Sequence, residues 1–328
     1  MFILVPWLKV IRWQNLLIIF LTMFLAWWCV VLPLESIDTG KPNLLLNAIN
    51  FICISASTLL IAAGGYIIND YFDIKIDIIN RPDSVIIGKR ISVKAAIAMH
   101  TVCNIIAVLL AGFVAWQVRH LEWVFLQLSG TLLLWFYSTH FKRQYIIGNV
   151  VVAFVTATLS VMVLIVYEPV LQQHFAMPLN AESIRNHASC LPVWVLIVYA
   201  FFAYMLTWIR EIVKDMEDFK GDEQEGCKTM PVMKGLKYSI VFIRILCIAT
   251  IITITIASVF LKIYNYNILY IYMQLCIVLP LTLWTIFFGL LPHKQDYGLY
   301  SKRLKIIMLL GILSLLIYHF QLFINAQS

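Results

Sequence analysis

The chain has 328 residues, of which 62% are hydrophobic and only 12% charged, with a formal net charge of +7 and a mean hydropathy of +0.89. Soluble domains carry about a quarter charged residues and a little under half apolar ones, so this apolar excess cannot be hidden in one water-bathed core and a water-soluble enzyme is excluded. The 14% aromatic content excludes a disordered chain as well.

A helix crosses the hydrocarbon core with about 20 mostly apolar residues. Nine stretches qualify, 14–33, 45–68, 92–117, 121–139, 147–167, 191–209, 239–262, 266–291 and 304–323. They are continuous apolar runs, not alternating segments, which excludes a β-barrel. The expected fold is an all-α integral membrane bundle of nine transmembrane helices, forming one domain over residues 1–328.

The first span follows Lys9 and Arg12 and begins near Asn15; with no cleavage pattern after it, it is expected to be retained. Asp70, Asp73, Asp77 and Asp83 follow the second span. The fourth carries Tyr137 near its end, ahead of Lys142 and Arg143. Glu211, Asp215, Glu217, Asp218, Asp222, Glu223 and Glu225 follow the sixth, and Lys302 and Arg303 precede the ninth, with Lys305 at its inside edge. Basic residues gather in cytoplasmic loops. With the N-terminus inside, only Lys41, Arg119, Arg185 and Lys262 fall outside and Arg244 within a span, which leaves nineteen of 24 inside. The expected location is therefore a cell inner membrane, with the N-terminus and both acidic segments cytoplasmic and the C-terminus outside. The positive charge is spent on topology, and no nucleic-acid partner is indicated. Seven cysteines without CxxC spacing suggest neither a disulfide framework nor a thiolate metal site.

Eleven of the 17 acidic residues fall in the two segments after spans two and six, about 69–90 and 210–235, which the positive-inside rule does not explain. Their spacing repeats. Asp70-x-x-Asp73-x-x-x-Asp77 and Asp215-x-x-Asp218-x-x-x-Asp222 share one pattern, with Asn69 and Lys214 in the preceding position. At about 100° per residue the three aspartates lie within an arc of roughly 60°, so each motif predicts a line of carboxylates on one helix face, the mark of an internal duplication. Gly221 weakens that helix and makes Asp222 an expected loop residue. Clustered like charges repel. A carboxylate-rich, thiol-free donor set suits the hard cation Mg²⁺, which also favours phosphate oxygens. Metal and fixed cations would neutralise charge developing on a diphosphate leaving group. Arg81, Lys89, Arg90, Lys142, Arg143, Arg210 and Lys214 share that membrane face, and Tyr66, Tyr71, Phe72, Trp135, Tyr137, Tyr204 and Trp208 could shelter an allylic cation.

The segment Asn69-Asp70-Tyr71-Phe72-Asp73-Ile74-Lys75-Ile76-Asp77, continued by Asn80-Arg81-Pro82-Asp83 and Gly88, resembles the first aspartate-rich motif of the UbiA-type membrane prenyltransferases. Arg210-Glu211-Ile212-Val213-Lys214-Asp215-Met216-Glu217-Asp218-Phe219-Lys220-Gly221-Asp222, with Gly226-Cys227-Lys228-Thr229-Met230-Pro231, resembles the second. The resemblance spans the chain. It implies transfer of a polyprenyl group from its diphosphate to a membrane-associated acceptor, with Mg²⁺ bridging the motifs through the diphosphate. Asn69, Asp70, Asp73 and Asp77 would serve one side of the metal–diphosphate cluster, and Asp215, Asp218 and Asp222 the other. Arg81 and Lys214 would be diphosphate cations, and Tyr137, Lys142, Arg12 and Asn15 would line the site. Relatives often carry a second Arg-Pro after the first, where Ser84-Val85 stands here, so one expected cation is missing. The second motif looks most like the digeranylgeranylglyceryl phosphate synthase branch, whose acceptor is a prenylated glycerol phosphate. An aromatic acceptor of quinone biosynthesis is the runner-up. A haem O synthase would place a histidine near a motif, a cation-coupled transporter would place acids at mid-span, and a CDP-alcohol phosphotransferase would show Asp-Gly and Ala-Arg pairs between its acids; none of these occurs.

Overall fold

The computed structural model describes residues 4–33, 44–163, 191–289 and 296–327, and among these it is helical with no strand. In chain order the helices are α1 (Leu4–Val10), α2 (Trp13–Ala26, continued by a wider π turn at Trp27–Val31), α3 (Leu44–Phe72), α4 (Ile74–Asn80), α5 (Val93–Gln117), α6 (Trp123–Thr139) and α7 (Ile147–Met162). Then come α8 (Leu191–Glu217), α9 (Phe219–Gln224), α10 (Met230–Lys234), α11 (Leu236–Ile263), α12 (Asn267–Met273, continued by a π turn at Gln274–Val278), α13 (Leu279–Phe287) and α14 (Tyr297–Gln327).

Among the described residues seven helical stretches are long and apolar enough to cross a membrane. The expected count of nine is not reached on length, because α6 has 17 residues and α7 has 16. At 1.5 Å per residue these rise about 26 and 24 Å, short of a roughly 30 Å core. The predicted end of the fifth span, like Lys41, Arg185 and Lys294, lies outside the described residues. Other edges move outward: α3 and α8 run past the predicted spans and carry Asn69, Asp70, Lys214 and Asp215 on their own last turns, and α14 begins early enough to carry Ser301, Lys302 and Lys305.

Composition dictates the packing. Along α11, Val241, Ile245, Ile248, Ile252, Ile256, Val259 and Ile263 recur every three or four residues and all are exposed. A water-soluble protein does not tolerate an apolar stripe of that extent, and lipid does. Along α5 the buried face is small, with Ala96, Cys103, Ala107, Ala111 and Ala115, so the helix approaches α3 closely enough for the Ser57 hydroxyl to donate to the Ala107 carbonyl at 2.7 Å. Small residues at such contacts are how helices associate where lipid is as apolar as leucine. One main core joins α2, α3, α7, α8 and α11–α14, and a satellite of Val10, Ile67, Ile87, Ile91 and Ala96 seats the loop after the first acidic motif.

Candidate active site

Both acidic motifs break at their middle aspartate. α3 ends at Phe72, Asp73 forms the turn, and α4 follows; α8 ends at Glu217, Asp218 forms the bend, and α9 follows. Aspartate is a poor helix-interior residue, so the straight carboxylate line predicted from spacing becomes a long helix capped by a short one. The backbone still links across each break, Asp77 N–H to the Asp73 carbonyl at 2.8 Å and Asp222 N–H to the Asp218 carbonyl at 3.1 Å. Asp222 sits in α9, not in a loop, despite Gly221.

The space over that glycine is occupied by a neighbour. A Cβ at Gly221 would lie 2.4 Å from Asn80 Nδ2. The Asn80 amide uses the space to donate to the Asp218 carbonyl at 3.1 Å and to accept from the Gly221 N–H at 2.9 Å. The end of the first motif thereby clasps the second. Arg81 adds an ion pair to Asp218 at 2.5 Å and lies 3.8 Å from Glu217. A second close approach fixes Lys142: a Cβ at Gly148 would meet the Phe141 carbonyl oxygen at 2.7 Å and the Lys142 Cα at 2.9 Å, so the turn bearing Lys142 lies directly on α7.

Most carboxylates have partners in the chain. Arg12, at a left-handed break between α1 and α2, reaches Asp70 at 2.7 Å and lies over the Tyr66 ring at 4.9 Å. Lys142 pairs with Asp73, which also accepts from the Asn69 amide at 2.6 Å. Asn149 donates to Asp215 at 2.8 Å, and Thr229 to Asp222 at 3.2 Å. The Asp77 carboxylate makes no hydrogen bond or ion pair with a described residue. Burial and repulsion from Asp73 push its carboxyl up to about 6. Asp222 is likewise pushed up to about 6, first by burial and then by Asp218. Burial works against the Lys142 ammonium, yet Asp73 holds its proton beyond the ordinary lysine range.

The motifs meet at a cavity of about 760 Å³. Asp70, Asp73, Asp77, Asp215, Glu217 and Asp218 line it, with Arg12, Asn15, Asn69, Arg81, Tyr137, Lys142 and Lys214. One face of α3, Thr58, Ile61, Gly65, Tyr66, Asn69 and Asp70, carries the cavity about 18 Å along the helix. Ile18, Leu133, Leu159 and Met162 make the deeper wall apolar. Asp222 is only 4% exposed and does not reach the wall. Of the seven aromatics expected to shelter a cation, Tyr66 and Tyr137 line the cavity; Phe72 and Trp135 pack on each other at 6.1 Å.

Among the described residues no three His, Cys, Asp or Glu side chains converge to hold a metal ion alone. Mg²⁺ does not need such a cage: it binds through one or two carboxylates and fills its shell with water and phosphate oxygens. Asp77, without a cation of its own, and the orphaned buried acceptor Asn69 Oδ1 are hard oxygens of the kind such an ion takes. The donor set fits Mg²⁺ carried with a diphosphate.

Lys214 lines this cavity and is itself paired with an acid. Its ammonium donates to both Glu211 oxygens, at 2.8 and 3.1 Å, and Arg210 reaches the same carboxylate at 2.8 Å. Lys305 of α14 donates to Asn15 at 2.9 Å. Sequence reasoning missed Lys305, Ser301, Glu211 and Asn80 as site residues. Ser301 and Lys305 stand four apart on one helix face, a signal that the positive-inside rule absorbed.

The sequence matches the UbiA prenyltransferase family over residues 38–296. It is 30% identical to a digeranylgeranylglyceryl phosphate synthase of Methanothermobacter thermautotrophicus over 71% of this chain and 68% of the relative. Its fold resembles a solved digeranylgeranylglyceryl phosphate synthase, with a TM-score of 0.62 at 23% identity over 98% of this chain and 100% of the other. A UbiA homologue from Archaeoglobus fulgidus, solved with GPP and Mg²⁺, superposes with a TM-score of 0.53 at 16% identity, covering 97% of this chain and 99% of the other.

Proposed function

This chain belongs to the UbiA prenyltransferase family, and from that premise we propose that it transfers a polyprenyl group from an allylic diphosphate to the free hydroxyl of a prenylated glycerol phosphate, releasing diphosphate. The observation that carries the reading is the single cavity in which both aspartate motifs, their basic partners and an apolar wall meet. The relatives' activity as digeranylgeranylglyceryl phosphate synthases supports this choice of acceptor.

In this mechanism the polar end of the cavity seats the diphosphate and the apolar end takes the prenyl chain. Mg²⁺, when bound, neutralises the charge that grows on the leaving diphosphate as the allylic carbon–oxygen bond breaks. Asp70, Asp73, Asp77, Asp215 and Asp218 are the carboxylates from which it would draw one or two ligands, with water and phosphate oxygens as the rest. Lys142, held charged by Asp73, and Arg81, held by Asp218, add fixed positive potential at the same end. Tyr66 and Tyr137 offer ring faces to the positive charge left on the prenyl fragment. The acceptor hydroxyl forms the new carbon–oxygen bond as the bond to diphosphate breaks, and its proton passes to an oxygen of the departing diphosphate. Basic residues concentrated on the motif side support a cytoplasmic opening in an inner membrane.

The test is diphosphate release by the purified protein in lipid with Mg²⁺ and geranylgeranyl diphosphate, with product mass as readout. Geranylgeranylglyceryl phosphate should yield the diether, whereas product only from an aromatic acid moves the enzyme to quinone chemistry.

A further inference from the structure

The cations around the cavity divide by what balances them. On the aspartate side three are matched by acids: Arg12 by Asp70, Lys142 by Asp73, Arg81 by Asp218. Where α8 meets α14 they are not. Arg210 and Lys214 share one carboxylate, Glu211, while among the described residues Lys305 has only the neutral Asn15 amide oxygen as hydrogen-bond partner. Lys305 lies within electrostatic reach of Arg210, Arg12 and Lys302, with Glu211 as the facing acid. Excess positive charge in a partly desolvated pocket is costly unless an anion completes it.

Two further observations point the same way. Arg210 Nε and Thr207 Oγ1 are buried without a hydrogen-bond partner, and they stand one turn apart on α8 beside this pocket. Across from them Gly298, Ser301, Lys302, Lys305 and Met308 follow a helical repeat and all line the cavity from α14. The short Ser301 side chain leaves room for a ligand between the two helices, whereas the space over Gly298 is taken by Glu217, whose Oε1 lies 3.0 Å from where a Cβ would stand.

We propose that Arg210, Lys305 and Lys302, with Thr207 and Ser301, form the seat of the acceptor's phosphate monoester, apart from the aspartate end that takes the donor's diphosphate. The inference rests on the reading of the acceptor as a glycerol phosphate. Its logic is electrostatic. The aspartate end repels a bare anion and accepts one that arrives with a dication. The α8–α14 pocket attracts a bare anion and needs no metal. Arg210 and the lysines hold the phosphate through charge-assisted hydrogen bonds, which sets the acceptor's free hydroxyl toward the allylic carbon.

The test has a binding arm and a kinetic arm. Binding of soluble glycerol phosphate to the full-length protein in lipid should need no Mg²⁺ and should weaken roughly 10- to 100-fold in Lys305→Met. Lys305→Arg should keep most of it. Pyrophosphate binding should require Mg²⁺ and survive Lys305→Met, which also reports an intact fold. In turnover, Lys305→Met should raise KM for geranylgeranylglyceryl phosphate by a similar factor and leave KM for geranylgeranyl diphosphate unchanged. The unphosphorylated prenylglycerol should show no such change. Glycerol phosphate binding that requires Mg²⁺, or a variant whose donor KM rises and acceptor KM does not, overturns the seat. If glycerol phosphate binds as described but wild type prenylates only aromatic acids, the functional reading fails while the seat stands.

Discussion

At the scale of single residues, the site is a set of carboxylates held in tension with nearby cations. Asp77 is the least balanced, with no ion pair and a carboxyl pushed up to about 6 by burial and Asp73. Unfolded aspartate releases its proton near 4, so between about 4 and 6 the folded state binds more protons than the unfolded state. Linkage then makes stability fall as pH rises through that window. In metal-free buffer Asp77→Asn should stabilise the fold at pH 7 by about 1 kcal/mol after allowing for solvent screening, seen as a higher Tm, and flatten the pH dependence. Adding Mg²⁺ with pyrophosphate should stabilise the wild type more than the variant. Thermal unfolding in detergent across pH 4.5–7 measures both. The identity of these carboxylates was readable from their repeated spacing. Their pairing was not, because Lys142 reaches Asp73 and Asn149 reaches Asp215 across separate helices.

At the scale of elements, close approaches decide where the functional groups stand. Gly148 lets the Phe141–Lys142 turn lie on α7. Gly148→Ala sets a methyl against backbone atoms that have no rotamer to escape into, so the turn must move and take Lys142 from Asp73. Activity should drop about tenfold or more, while Gly112→Ala, where a Cβ meets nothing within 4 Å, serves as a control. Steady-state rates of the two variants in lipid decide the point. The helices themselves were legible from hydropathy, because a span must satisfy its backbone internally. Their ends were not, since α3 and α8 run on through charged residues that hydropathy treats as loop, and both motifs kink at an aspartate. The clasp of Asn80 on Gly221 was equally hidden: read alone, Gly221 argues against a helix, and only the partner side chain explains it.

At the scale of the whole molecule, lipid-facing aliphatic stripes enclose a cavity that is polar where the motifs meet and apolar along the spans. The central claim is that the two motifs, 145 residues apart in sequence, act as one site. The measurement that tests it most directly is Mg²⁺-dependent diphosphate release by Asp73→Asn, Asp215→Asn and the double variant. Groups that act as a unit are grossly non-additive. Each single substitution should cost about 100-fold or more in kcat/KM, and the double variant should be little worse than either. Losses that multiply in the double variant, or a single variant with near-normal turnover, would contradict a shared site.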